Sequence, residues 1–62
     1  MKTDEISIEA LLQSAKRELS YRRRVYPRLV GADKMSPQKM AYEIACMMRI
    51  VEILDEMNGR LL

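Results

Sequence analysis

Along most of this chain apolar residues return at alternating steps of four and three, the spacing of one face of an α-helix. Ile8, Leu12, Ala15, Leu19, Arg22, Tyr26 and Leu29 make the first such row, with Arg22 its one charged member. Ser7 precedes it as an N-cap, and Ile6 and Leu11 stand at the spacing of a hydrophobic staple. A second row, Met40, Ile44, Met47, Val51 and Leu54, follows Ser36 as cap, Pro37 at the favoured first helical position, and a Met35–Met40 staple. Pro27 falls inside the first row. It removes a helix N–H and pushes Tyr26 away from helical geometry, so the first helix is expected to stop or kink between Arg24 and Tyr26. The expected spans are therefore a helix over about 7–26, a break at 27–35 and a helix over about 37–58. Within the break, Pro27 to Val30 form one extra turn closed by Gly31 in a left-handed conformation, and Gly59 ends the second helix.

The second helix is more apolar than one neighbour can use. Ala41, Met48 and Ile50 widen its stripe, and Cys46, Ile53 and Met57 extend it on one side, giving an arc of roughly 200°. The expected fold is all-α: a single domain over 1–62, an antiparallel two-helix hairpin that assembles into a helical-bundle homo-oligomer. A domain-swapped or extended coiled coil is the alternative.

Length and composition point the same way. A compact monomer of 62 residues buries only about 60% of its unfolded surface and ordinarily needs a staple. The single cysteine, Cys46, excludes an internal disulfide, and the absence of histidine leaves a poor ligand set for zinc. Association remains, and an apolar content of 48% is high for so little interior. No run approaches the roughly 20 apolar residues of a membrane span, and Met1 to Glu5 open no signal peptide, so a cytoplasmic protein is expected.

Charge adds a feature that periodicity does not. The net charge is only +2, but seven of the eleven basic residues lie between Lys16 and Lys34, against Glu18 and Asp33 alone. Arg17, Tyr21, Arg24 and Arg28 recur at steps of four, three and four, on the helix face opposite the seam. Guanidinium groups grip phosphate bidentately and stack on flat rings, and tyrosine adds a stacking plane with a donor. A solvated helix face is the plain alternative. Against it stands composition: every basic residue from Arg22 to Arg28 is arginine, with Tyr21 and Tyr26 beside them. The candidate ligand-binding residues are thus Arg17, Tyr21, Arg22, Arg24, Tyr26 and Arg28.

For two of these six the structural reading comes first. Centring the hairpin near Ala32 and Asp33 sets Arg22 level with Glu43, as an ion pair that fixes register or as a guanidinium held ready for an anion. Tyr26, on the seam, reads first as a core plug. Tyr42 lies on the outer face of the second helix, the methionines read as adaptable filler, and Cys46 as a small apolar residue. Catalysis has little to work with: no histidine base, no Gly-rich loop, no metal cluster and no support for an activated Cys46. No cofactor, metal site or enzymatic role is expected.

The stretch Arg22-Arg23-Arg24-Val25-Tyr26-Pro27-Arg28-Leu29-Val30, then Lys34-Met35-Ser36, then Glu43-Ile44-Ala45 with Met47, resembles a group of very short bacteriophage and prophage proteins. Their shared pattern is RVYPR-x-V … KM … EIA-x-M, and it covers about half of this chain, from Tyr21 to roughly Ile53. The resemblance implies a phage origin, with the host cytoplasm as the place of action, and carries no activity. Small non-enzymatic phage proteins act by occupying a host component. One class, the anti-defence sponges, consists of compact helical oligomers that sequester nucleotide messengers of bacterial immunity. Three expectations follow: capture of a phosphate-bearing nucleotide by the Arg/Tyr segment, inhibition of a host protein through the wide apolar arc, and RNA or DNA binding by a basic bundle face. The small net charge and the acidic second helix put nucleic acid behind the other two.

Overall fold

The computed structural model describes residues 1–60. A single 3₁₀ turn, Thr3–Glu5, leads into helix α1, Ile8–Gly31, and a short connection leads to helix α2, Pro37–Arg60. Both helices have 24 residues, about 36 Å of rise, and they pack against each other along the chain's only helix pair among the described residues. The result is an all-helical hairpin, with no strand among the described residues.

Both starts follow from local chemistry. Ser7 Oγ accepts from the Ala10 N–H at 3.1 Å, and Ser36 Oγ from the Lys39 N–H at 3.0 Å, each satisfying an otherwise free first-turn donor. Both seams occupy the interface. Leu12, Ala15 and Met47 are buried, while Ile8, Leu19, Arg22, Tyr26, Leu29, Met40, Ile44, Val51 and Leu54 are half-buried.

The boundaries correct the expected ones at three places. Helix α1 does not end by Tyr26; it continues through Pro27 to Gly31, so the break at 27–35 shrinks to 32–36. Proline costs the ladder the bond that its own N–H would give to the Arg23 carbonyl and crowds that carbonyl with its ring, but Arg23 and Pro27 are both exposed, where water can serve the oxygen. Continuing the helix carries Leu29 and Val30 into half-buried positions against α2, and that burial outweighs the lost bond. Secondly, Gly31 is not left-handed. Asp33 is, at φ 60°, with the Lys34 N–H donating to the Leu29 carbonyl at 2.8 Å and the Asp33 N–H to the Val30 carbonyl at 3.0 Å. This bond pair is a Schellman closure, set two residues later than the glycine. Thirdly, α2 runs past Asn58 and through Gly59 to Arg60. Gly59 keeps a negative φ there.

Candidate functional site

The six candidate residues separate into two places. Arg17, Tyr21, Arg24 and Arg28 are all exposed on the side of α1 turned away from α2. Because α1 stays helical through Pro27, Arg28 remains in line with the other three, and the row extends about 16 Å along the helix. Arg22 and Tyr26 are half-buried in the seam and do not join it.

On the outer row, Arg17, Tyr21 and Arg24 border a shallow open hollow of about 400 Å³, completed by Gln13, Lys16 and Ser20. The Arg24 guanidinium carbon lies 6.0 Å from the centre of the Tyr21 ring, the outer limit of a cation–π contact. Among the described residues the ion pairs of arginine engage Arg22, Arg49 and Arg60, and none engages Arg17, Arg23, Arg24 or Arg28. Unpaired guanidinium groups beside a phenol and two small polar side chains can donate several hydrogen bonds at once to a phosphate-sized anion. Gln13, Lys16 and Ser20 escaped sequence reasoning; the signal was there in the helical spacing of Gln13, Lys16 and Ser20 on the rows beside Arg17 and Tyr21.

The seam place is built differently. Arg22 Nε donates to Glu18 Oε1 at 3.1 Å, and Nη1 donates to the Glu43 carbonyl at 2.8 Å, with Glu43 Oε2 at 3.5 Å. One guanidinium thus bridges a carboxylate on its own helix and both the backbone and the side chain of the other. Its side chain is 20% exposed, and Tyr26 lies below it, 5.9 Å from ring centre to guanidinium carbon. The hydrogen bond that Arg22 donates to Glu18 raises the Arg22 pKa above its ordinary value, against a smaller opposing effect of burial. An arginine so committed has few donors left for a ligand. Glu18 was the partner that sequence reasoning overlooked, although a glutamate four residues before an arginine is a recognised helical pairing.

Tyr42 is exposed, and its phenol is held above its ordinary pKa first by hydrogen bonding to Cys46, then by the charges of Cys46 and Glu43. It remains a neutral donor. Among the described residues no three Cys, Asp or Glu side chains converge as metal ligands would, and no helix is long and apolar enough to cross a membrane. Comparison with protein-family models, with curated proteins and with solved structures finds no match.

Proposed function

We propose that this is a non-enzymatic binding protein of phage type, acting as a homo-oligomer, that captures a phosphate-bearing nucleotide on the outer row of α1. The observation that carries the reading is the row of unpaired arginines, Arg17, Arg24 and Arg28, in line with Tyr21, of which Arg17, Tyr21 and Arg24 border the open hollow, while the arginines in ion pairs lie elsewhere. Arginine forks take the phosphate, and the Tyr21 ring offers a stacking plane worth about 1–3 kcal/mol per base. Arg22 and Tyr26 hold the hairpin and stand outside the ligand contacts. With no reacting group in the row, binding itself is the activity. In a phage protein such a site would work by sequestration, removing a nucleotide messenger from the host cytoplasm as an anti-defence sponge does.

Calorimetric titration of the protein with a panel of mono- and dinucleotides tests this. The expected outcome is saturable binding of at least one, weakened tenfold or more by Arg24→Ala or Arg28→Ala with oligomer mass unchanged. Absence of heat with every nucleotide at millimolar concentration, or equal affinity in both variants, overturns the reading. A steep fall of affinity with salt for a long single strand would instead favour the RNA- or DNA-binding alternative. Inhibition of a host protein is the other alternative; the exposed Ile50, Ile53 and Met57 of α2 favour it, since such a row can seat a partner.

A further inference from the structure

The hairpin is a slab, 43 × 25 × 14 Å, one helix thick in its smallest dimension. Stable domains stack at least two layers of secondary structure around a core, and this chain supplies one. Its two broad flanks differ in kind, and the Arg22 bridge tells them apart. Because Arg22 reaches Glu18 and Glu43, those two glutamates lie on the same flank. Residues seven apart keep the same face of a helix, so Leu11 and Val25 share that flank with Glu18, and Ile50 and Met57 share it with Glu43. Cys46 and Ile53, each three residues on from Glu43 and Ile50, border the same row. The opposite flank carries Glu9, Lys16, Arg23 and Val30 from α1, with Ala41, Met48 and Asp55 from α2. One flank is largely apolar and the other largely charged.

We infer that the Arg22 flank is covered by a second copy of this chain, making a two-layer, four-helix dimer. This gives the proposed homo-oligomer its face, and it does not depend on what the outer row binds. Area selects the occupant. The chain exposes 4958 Å² at a mass of 7.3 kDa, where mass scaling gives about 4,200 Å² for a compact monomer. The surplus of roughly 800 Å² is what one partner contributes to a standard interface. A second copy offers the same surplus, so both are removed together. The charges on the flank are already closed on one another, two carboxylates around one guanidinium, and need no foreign counter-ion to be covered. The net negative charge of each cluster places the twofold near Leu11, Ile50 and Ile53. Seven residues from Ile50 to Glu43 then keep the two clusters about 20 Å apart, beyond the screening length of ordinary salt. The outer row of α1 stays open on the edge of this dimer.

Two apolar residues of equal exposure provide the test: Ile53 and Met48 are each 40% exposed, Ile53 bordering the inferred face and Met48 on the opposite flank. Sedimentation velocity of the full chain without ligand should give a dimer at micromolar concentration. Ile53→Lys should weaken the association a hundredfold or more, and Met48→Lys should change it less than threefold. Loss of the fold in Ile53→Lys would mimic loss of the partner, so the unaltered protein supplies a second measurement. Cys46, the only thiol, borders the inferred face, so its alkylation rate should fall tenfold or more as concentration rises through the dimer range. A folded monomer at 100 times that concentration (about 100 μM), equal dissociation by both lysine variants, or an alkylation rate independent of concentration overturns the inference. A folded monomer would leave the flank for a foreign protein. Because every readout is made without nucleotide, failure of the dimer and failure of nucleotide capture are separately visible.

Discussion

Arg22 and Arg24 are two positions apart on one helix and lead opposite lives. Arg22 is tied to Glu18, to Glu43 and to a backbone carbonyl of the other helix, in the seam between α1 and α2. Arg24 is exposed, pairs with no carboxylate among the described residues and borders an open hollow with Arg17 and Tyr21. Two residues turn a helix by about 200°, so neighbours of the same type face opposite surroundings. Arginine chemistry is the same in both places. What differs is whether the donors are already spent, and that is decided by the register of the hairpin for Arg22 and by nothing but the helix itself for Arg24.

The largest effect expected from separating these dependences comes from Pro27, which lies between Tyr26 of the seam and Arg28 of the outer row. Pro27→Ala restores one N–H and removes a ring clash, and should stabilise the protein by about 2–3 kcal/mol. Urea unfolding at fixed protomer concentration reads this as a higher midpoint with an unchanged slope. Because the row needs only a regular helix, nucleotide affinity should stay within twofold. Loss of affinity in Pro27→Ala would show that the outer row depends on a local distortion, and the contrast with Arg22 would weaken.

Next in size is the contrast itself. Arg22→Ala strands Glu18 and Glu43 in the half-buried seam, and after allowance for solvent screening should cost about 2 kcal/mol. Arg24→Ala should change stability by less than about 0.5 kcal/mol, as surface substitutions do. The same urea experiment compares them. Similar losses in both variants would mean that the Arg22 bridge adds nothing beyond an exposed side chain.

The seam was readable from the sequence because burial and helical period act together: each four-and-three position, from Ile8 to Leu29 and from Met40 to Leu54, is buried or half-buried. Ser7 and Ser36 were readable for the same local reason, as short side chains that reach a free N–H within one turn. The level of Arg22 with Glu43 followed from counting outward from the turn. Pro27 was misjudged because a propensity was weighed without its competitor, the burial of Leu29 and Val30, which only the packed hairpin reveals. Gly31 misled in the same way: glycine permits a left-handed residue but does not require one, and the chain closed its helix on Asp33 instead. The outer row was legible as four positions at regular steps, while Arg22 and Tyr26 were drawn in by their place in the sequence and not on the helix. Gln13, Lys16 and Ser20 went unseen because their spacing sets them on rows beside Arg17 and Tyr21 without telling that a hollow forms between those rows.

The smallest effect tests the register on which Arg22 depends and Arg24 does not. Asp33 stands in a left-handed conformation that costs a side chain free energy, and its carboxylate sits at the negative end of the α1 dipole. Glycine adopts this φ without strain, so Asp33→Gly should stabilise the hairpin by about 0.5–1 kcal/mol, net of the extra freedom it gives the unfolded chain. The Lys34-to-Leu29 and Asp33-to-Val30 backbone bonds do not involve the side chain, so the turn should close at the same residues and keep Arg22 level with Glu43. A double-mutant cycle makes this measurable: the cost of Arg22→Ala should be the same in the Asp33→Gly background, because the two sites share no partner. A smaller cost there would mean that the turn slips when the aspartate is removed, and that the register is set by Asp33 rather than by the two seams. Nucleotide affinity gives the other half of the comparison. It should not respond to Asp33→Gly whether or not the turn slips, since every residue of the outer row lies within one helix.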